Sequence, residues 1–246
     1  MNIFKKMLFG ATDSIKQAEN EKIKENNSLM KLNLNDIIVV DFPDNQYVRE
    51  ETNKKQIVLH HTVSGQGVDG DIAWWRQTVE RIGTAIIINW DGKIYQCFSS
   101  KYWAYHLGAG NKNLDMHSIG IEIDAWGGLV RHNRLWYPAK WDEKLKRHVA
   151  NTTIKPITNV QTYEQGYRGF YGFEKYTDVQ IEAVRQLLVY WGERYKIPLE
   201  YNEDMWDVSS KALAGQSGVW THNSYRKDKN DCHPQPELIE MLKSLK

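Results

Sequence analysis

The stretch Gln56-Ile57-Val58-Leu59-His60-His61-Thr62 constrains the chain more than any other. Ile57, Val58 and Leu59 form a bulky, largely β-branched run suited to a buried strand. The run stops at two imidazoles, and the turn formers Ser64 and Gly65 follow. A strand that ends in histidine carries a ring nitrogen to the rim of a sheet, where metals and substrates can reach it. Taken alone, the pair equally describes hydrogen-bonded structural histidines, so its meaning depends on partners further along.

The same device recurs at Gly218-Val219-Trp220-Thr221-His222, a second short strand ending in histidine. Between the two lie further strand candidates: Thr84–Asn89, the Asp91-Gly92 turn leading into Lys93–Phe98, and Ser118–Asp124. Two apolar runs around Asp-Gly read as a hairpin. Ile37–Val40 is a shorter strand candidate closed by Asp41-Phe42-Pro43-Asp44. A helix is expected from Asp71, with Ile72, Trp75 and Val79 on one face and Gly83 at its end. A second is expected after Thr177, where Gln180 completes a capping box and Val184, Leu187, Leu188, Trp191 and Tyr195 form the stripe. Pro236 opens a third. This alternation predicts an α/β fold, a central mixed β-sheet flanked by helices in one domain over residues 36–246. Residues 125–176 read as a long irregular stretch, an aromatic-rich insertion at about 126–176. Residues 1–35, rich in Lys, Glu and Asn, read as a leader that is either disordered or a short amphipathic helix able to dock a partner.

A chain of 246 residues can bury a substantial core. Its net charge of +1 provides no global field for nucleic acid or an anionic membrane, so recognition has to be local. Ten Trp and thirteen Tyr are many for this length, and aromatic faces serve sugar rings as well as cores. Cys97 and Cys232 do not make a disulfide framework. No apolar run reaches the ~20 residues needed to span a bilayer. The Met7-Leu8-Phe9 patch is too short for a secretory signal, so the expectation is a protein left in the compartment where it is made.

Four positions carry the chemistry. Neighbouring strands would bring His60 and His222 to one rim, and Asp231 or Cys232 could add an acidic or thiolate donor. Three protein ligands with a fourth position for water is the composition of a catalytic zinc site, suited to hydrolysis of an amide or ester. Glu122 is a carboxylate between Ile121 and Ile123, costly within an apolar strand unless it has a partner or a task.

The series Ile57–Thr62, Ile86–Gln96, Ala104-Tyr105-His106-Leu107-Gly108, Ser118–Glu122, Thr221-His222 and Lys229-Asn230-Asp231 resembles the zinc-dependent N-acetylmuramoyl-L-alanine amidases, which share their fold with peptidoglycan recognition proteins and include phage lysis enzymes. The likeness spans about residues 54–234. It implies zinc held by His60, His222 and Asp231, with Cys232 and then His233 as weaker candidates for the third ligand and His61 outside the set. It further implies that Glu122 takes the proton of the attacking water and that Lys229 stabilises the oxyanion. His106 is implied as a substrate contact. Thr84 stands after Gly83, where some relatives have a catalytic tyrosine, and keeps a hydroxyl for the substrate without a phenol's reach.

The implied substrate is the muramyl peptide of peptidoglycan, cut between N-acetylmuramic acid and L-alanine. A phage or prophage lysis role, acting on the wall after release from the cytoplasm, fits the absence of an export signal, as does cytoplasmic muropeptide recycling. An alternative expectation is that the leader attaches the enzyme to a virion component. Two rival readings remain: a non-catalytic peptidoglycan-binding module, and a zinc peptidase acting within the stem peptide.

Overall fold

The computed structural model describes residues 32–245. The leader expected over residues 1–35 therefore lies almost wholly outside the described residues. Two β-sheets organise what is described. The first has six strands, β1 (Ile38–Val39), β2 (Gln56–His61), β3 (Ile86–Ile88), β4 (Ile94–Gln96), β5 (Ser118–Ile123) and β11 (Gly218–Thr221), in the order β1-β4-β3-β5-β2-β11. It is mixed. β3, β5, β2 and β11 run parallel to one another, while β3 and β4 form the antiparallel hairpin that Asp91-Gly92 predicts.

The parallel strands read as apolar runs because they are buried: Ile57, Val58, Leu59, Ile87, Ile88, Ile121 and Ile123 are all completely hidden from solvent. Among the described residues the helices are α1 (Asp69–Gln77), α2 (Lys112–Met116), α3 (Asp178–Tyr195), α4 (Ser210–Leu213) and α5 (Pro236–Ser244). The capping box of α3 forms as expected, with Thr177 accepting from the Gln180 backbone and Gln180 reaching back to the cap. Pro236 occupies the first turn of α5.

Two local expectations differ from the structure. The helix expected from Asp71 starts at Asp69 and stops at Gln77, because Thr78 is extended; Val79, expected on its buried face, is 95% exposed. Gly83 does not end that helix. It lies instead beside the Trp75 ring, which a Cβ at that position would meet at an ordinary contact distance of 3.4 Å.

The larger difference is the stretch 125–176, which is not irregular. It forms a five-stranded antiparallel sheet of β6 (Gly128–His132), β7 (Leu135–Asp142), β8 (Arg147–Ala150), β9 (Val160–Tyr167) and β10 (Phe170–Glu174), ordered β8-β7-β6-β10-β9. This sheet is inserted between β5 and α3. No helix among the described residues is long and apolar enough to cross a membrane.

Candidate active site

Register assembles the site. In the parallel pairing of β2 with β5, His60 stands opposite Glu122, and in that of β2 with β11, Leu59 stands opposite Thr221. The residue that follows the last of β11 is His222, which opens a short 3-10 turn and lies beside His60. Residues opposite one another in register point to the same face of a sheet, and successive residues point to opposite faces. That alternation separates the two histidines of the β2 terminus. His60 turns toward His222 and Asp231, whereas His61 bonds the Tyr176 hydroxyl through Nδ1 (2.9 Å) and the Asn230 side chain through Nε2 (3.2 Å).

Three donor atoms converge. His60 Nδ1 lies 3.0 Å from His222 Nδ1 and 3.1 Å from Asp231 Oδ2, and His222 Nδ1 lies 2.9 Å from that same oxygen. All three residues are buried, and their donor atoms form the one His/Cys/Asp/Glu group among the described residues that could hold a metal ion. The fit is chemical as well as spatial. Ligands about 2.0–2.1 Å from a tetrahedral ion stand about 3.3 Å apart, close to the sides of this triangle. Burial, followed by the neighbouring His222, holds His60 down to about 4, so it is a neutral imidazole with a lone pair to give. Burial works against ionisation of Asp231, but His222 and His60 prevail and hold its carboxyl well below the usual range. Cys232 is fully buried outside the donor group, and burial pushes its thiol well up.

Both imidazoles are also held from behind by one loop. His222 Nε2 donates to the carbonyl of Leu107 at 2.8 Å, and His60 Nε2 meets His106 Nδ1 at 2.9 Å. With Nδ1 of His60 turned to the donor triangle, its Nε2–H is the donor in that bond. His106 Nε2 then donates to Ser118 Oγ at 2.8 Å, and Ser118 can donate to the Asp115 carbonyl. Burial and the two neighbouring histidines hold His106 well below the ordinary imidazole range, consistent with a neutral ring that accepts on one side and donates on the other. Sequence placed His106 beside the cleft but not behind His60. Gly120 was missed outright: a Cβ there would fall 2.5 Å from Thr84 Cγ2 and 3.0 Å from His106 Nδ1, so its bare backbone admits both side chains.

The donors open into a cleft of about 490 Å³, lined also by Glu122, Lys229, Thr84, His106 and Asp71. Glu122 is half-buried at its floor, and its Oε2 is enclosed without a hydrogen-bond partner. Burial, then Asp231 and Asp71, raise its carboxyl well above the ordinary value, against the opposing pull of Lys229. Asp71, which sequence did not single out, accepts from Ser64 and is pushed up to about 6, chiefly by burial. The Thr84 hydroxyl is spent locally, donating to the Ile86 carbonyl at 2.8 Å.

The inserted sheet braces the segment that carries Asp231. Tyr163 on β9 bonds His233 Nδ1 through its hydroxyl at 2.7 Å, and His233 stacks on Phe173 of β10. Tyr167 accepts from Asn223, which also donates to the Cys232 carbonyl at 2.6 Å. Arg168 donates to the Lys227 carbonyl and pairs with Asp207. The contacts made by the inserted sheet were not legible in sequence, since they join residues about 40–70 positions apart through loops.

A family model for N-acetylmuramoyl-L-alanine amidase matches residues 50–236. The chain belongs to that family of hydrolases, whose substrate is peptidoglycan. No curated protein matches it in sequence. Similar solved structures include the amidase LysC from Clostridium intestinale URNW, at 15% identity over 85% of this chain and 95% of that one, with a TM-score of 0.43. PlyL matches at 15% identity over 84% and 96% with a TM-score of 0.47, and a mutant endolysin from Bacillus subtilis at 17% over 85% and 96% with a TM-score of 0.47.

Proposed function

We propose that this amidase is zinc-dependent and cleaves the bond between the lactyl group of N-acetylmuramic acid and L-alanine. The observation that carries the metal is the buried triangle of His60 Nδ1, His222 Nδ1 and Asp231 Oδ2. When bound there, zinc supplies a Lewis acid that polarises a carbonyl and brings the pKa of its water to about 7.

The protein's own groups do the rest. Glu122 takes the proton released as water attacks the carbonyl, and later passes it to the departing amine of L-alanine. Its unpartnered Oε2 and raised pKa favour both halves of that shuttle, since a carboxyl titrating nearer neutrality accepts and returns a proton more readily. The Lys229 ammonium lines the same cleft and offers positive charge where the carbonyl oxygen becomes an anion. His106 acts through His60, fixing its ring and tautomer. Thr84 contributes shape rather than a free hydroxyl. We assign the catalytic unit to residues 36–246 and the leader to attachment, and favour a lysis role on the cell wall over muropeptide recycling.

Incubation with purified cell wall tests the reading. The expected result is one new L-alanine amino terminus per cut, glycan strands with free lactyl carboxylates by mass spectrometry, and one zinc per chain. A folded, zinc-loaded protein that releases no amino termini would be a binding module instead. Cuts between amino acids, with the muramyl amide intact, would make it a peptidase.

A further inference from the structure

The inserted sheet carries a concavity that the amide chemistry does not use, with a volume of about 830 Å³ against about 490 Å³ for the cleft. We propose that this groove is a second binding site, and that its occupant is the glycan strand of peptidoglycan. The inference rests on the amidase reading for the identity of the polymer.

The groove is floored by rings. Arg131 and Trp136 stand opposite each other in the β6–β7 register, and the guanidinium lies over the indole at 5.9 Å. The Trp136 ring lies across Gly172, where a Cβ would meet it at 2.8 Å, so the glycine lets the ring lie against the sheet. Trp141, 50% exposed, meets His148 edge-on at 5.2 Å, and His148 meets Phe170 at 5.0 Å. Tyr171, 61% exposed, completes the lining. Large aromatic side chains left half in water are costly unless something covers them. Flat apolar faces interleaved with hydrogen-bonding groups match a pyranose, which has an apolar C–H face and a polar rim.

Charge narrows the occupant. Arg131 and Arg147 line the groove against one carboxylate, Glu164. Two guanidiniums so offset, in a chain of net charge +1, do not make the basic track that a polyphosphate strand requires. They do suit a sparse anion. Hydrolysis of the muramyl amide leaves exactly such a charge, a free lactyl carboxylate on each muramic acid whose peptide has been removed, and arginine pairs carboxylates in a two-pronged fashion. The groove also touches the segment that carries the site. Tyr163 lines it and bonds His233, two residues beyond Asp231. A strand held here would keep the enzyme on a glycan it has begun to strip, a gain in effective concentration rather than in chemistry.

Tryptophan fluorescence titrations of the full chain distinguish the terms. The probes are peptide-free glycan strands bearing lactyl carboxylates, chitotetraose, which has none, and a single-stranded oligonucleotide. The wild type is expected to bind both glycans, the lactyl strands more tightly and with more salt sensitivity. The double variant Trp141→Ala/Tyr171→Ala is expected to bind both at least about tenfold more weakly with an unchanged circular dichroism spectrum. Arg131→Gln/Arg147→Gln is expected to weaken only the lactyl strands. The proposal is overturned if a wild type that cuts cell wall binds neither glycan, if both double variants bind like wild type, or if the oligonucleotide binds as tightly as the lactyl strands. A wild type that binds both glycans without cutting cell wall would keep the groove and fail the amidase reading.

Discussion

The cleft on the central sheet and the groove on the inserted sheet are both concave, but they are built by opposite means. In the cleft a parallel register sets His60 between Glu122 and the approach of His222, every ring nitrogen of His60 and His222 has a neighbour, and the surroundings are buried. In the groove the side chains are large, half-exposed and held mainly by ring contacts. The difference separates two tasks. Chemistry needs atoms fixed to fractions of an ångström, whereas holding a polymer needs area and tolerance.

That contrast predicts an order of effects. The largest falls on the metal donors: Asp231→Ala is expected to lose bound zinc and all measurable hydrolysis, while Cys232→Ala keeps zinc at one per chain, both read by metal analysis. The reverse pattern would transfer the third ligand to the thiol. Next is Glu122→Gln, expected to lower kcat by about 10²–10⁴-fold with zinc retained. The pH profile supplies its signature. The base must be ionised to work and its pKa is raised, so wild-type activity falls with acidification at a higher pH than an ordinary glutamate would dictate, and the variant loses that limb. Then comes His106→Ala, which removes the acceptor behind His60 and is expected to weaken zinc binding by about 10–100-fold in chelator competition. An unchanged zinc affinity with a raised KM would return His106 to the role of substrate contact.

The smallest effect tests the division itself. Tyr163→Phe deletes the hydroxyl bonded to His233 and is expected to cost about 1 kcal/mol in thermal or denaturant unfolding, with kcat changed by less than about fivefold. A loss as large as that of Glu122→Gln would show that the inserted sheet fixes the reacting atoms and does not merely brace their loop.

How much of this was readable beforehand follows from the same physics. The central strands announced themselves because burial demands unbroken apolar runs, and a strand-end histidine marks the rim. The Asp91-Gly92 hairpin and the Thr177 capping box are short-range codes that the structure obeys. The inserted sheet was hidden in part because two of its turns lack the usual glycines. Asn133 and Arg134 both adopt positive φ between β6 and β7, and Lys146 does so between β7 and β8. Its strands alternate polar and aromatic residues without a clean apolar face. The roles of Gly120 and of the Leu107 carbonyl depend on what packs over them, which no local pattern records.

One consequence of the donor set concerns oxidation. A thiolate ligand can be converted to a sulfenate or drawn into a disulfide, and a carboxylate has no such chemistry. With Asp231 as the proposed third donor and Cys232 buried outside the donor group, the triangle contains nothing an oxidant can take. The chain's other thiol, Cys97, is also buried and pushed up to about 12, far from the thiolate that oxidants seek. Two imidazoles and a carboxylate keep the same character in a reducing compartment and in an oxidising one, so a move between them would leave the site's ligand chemistry unaltered.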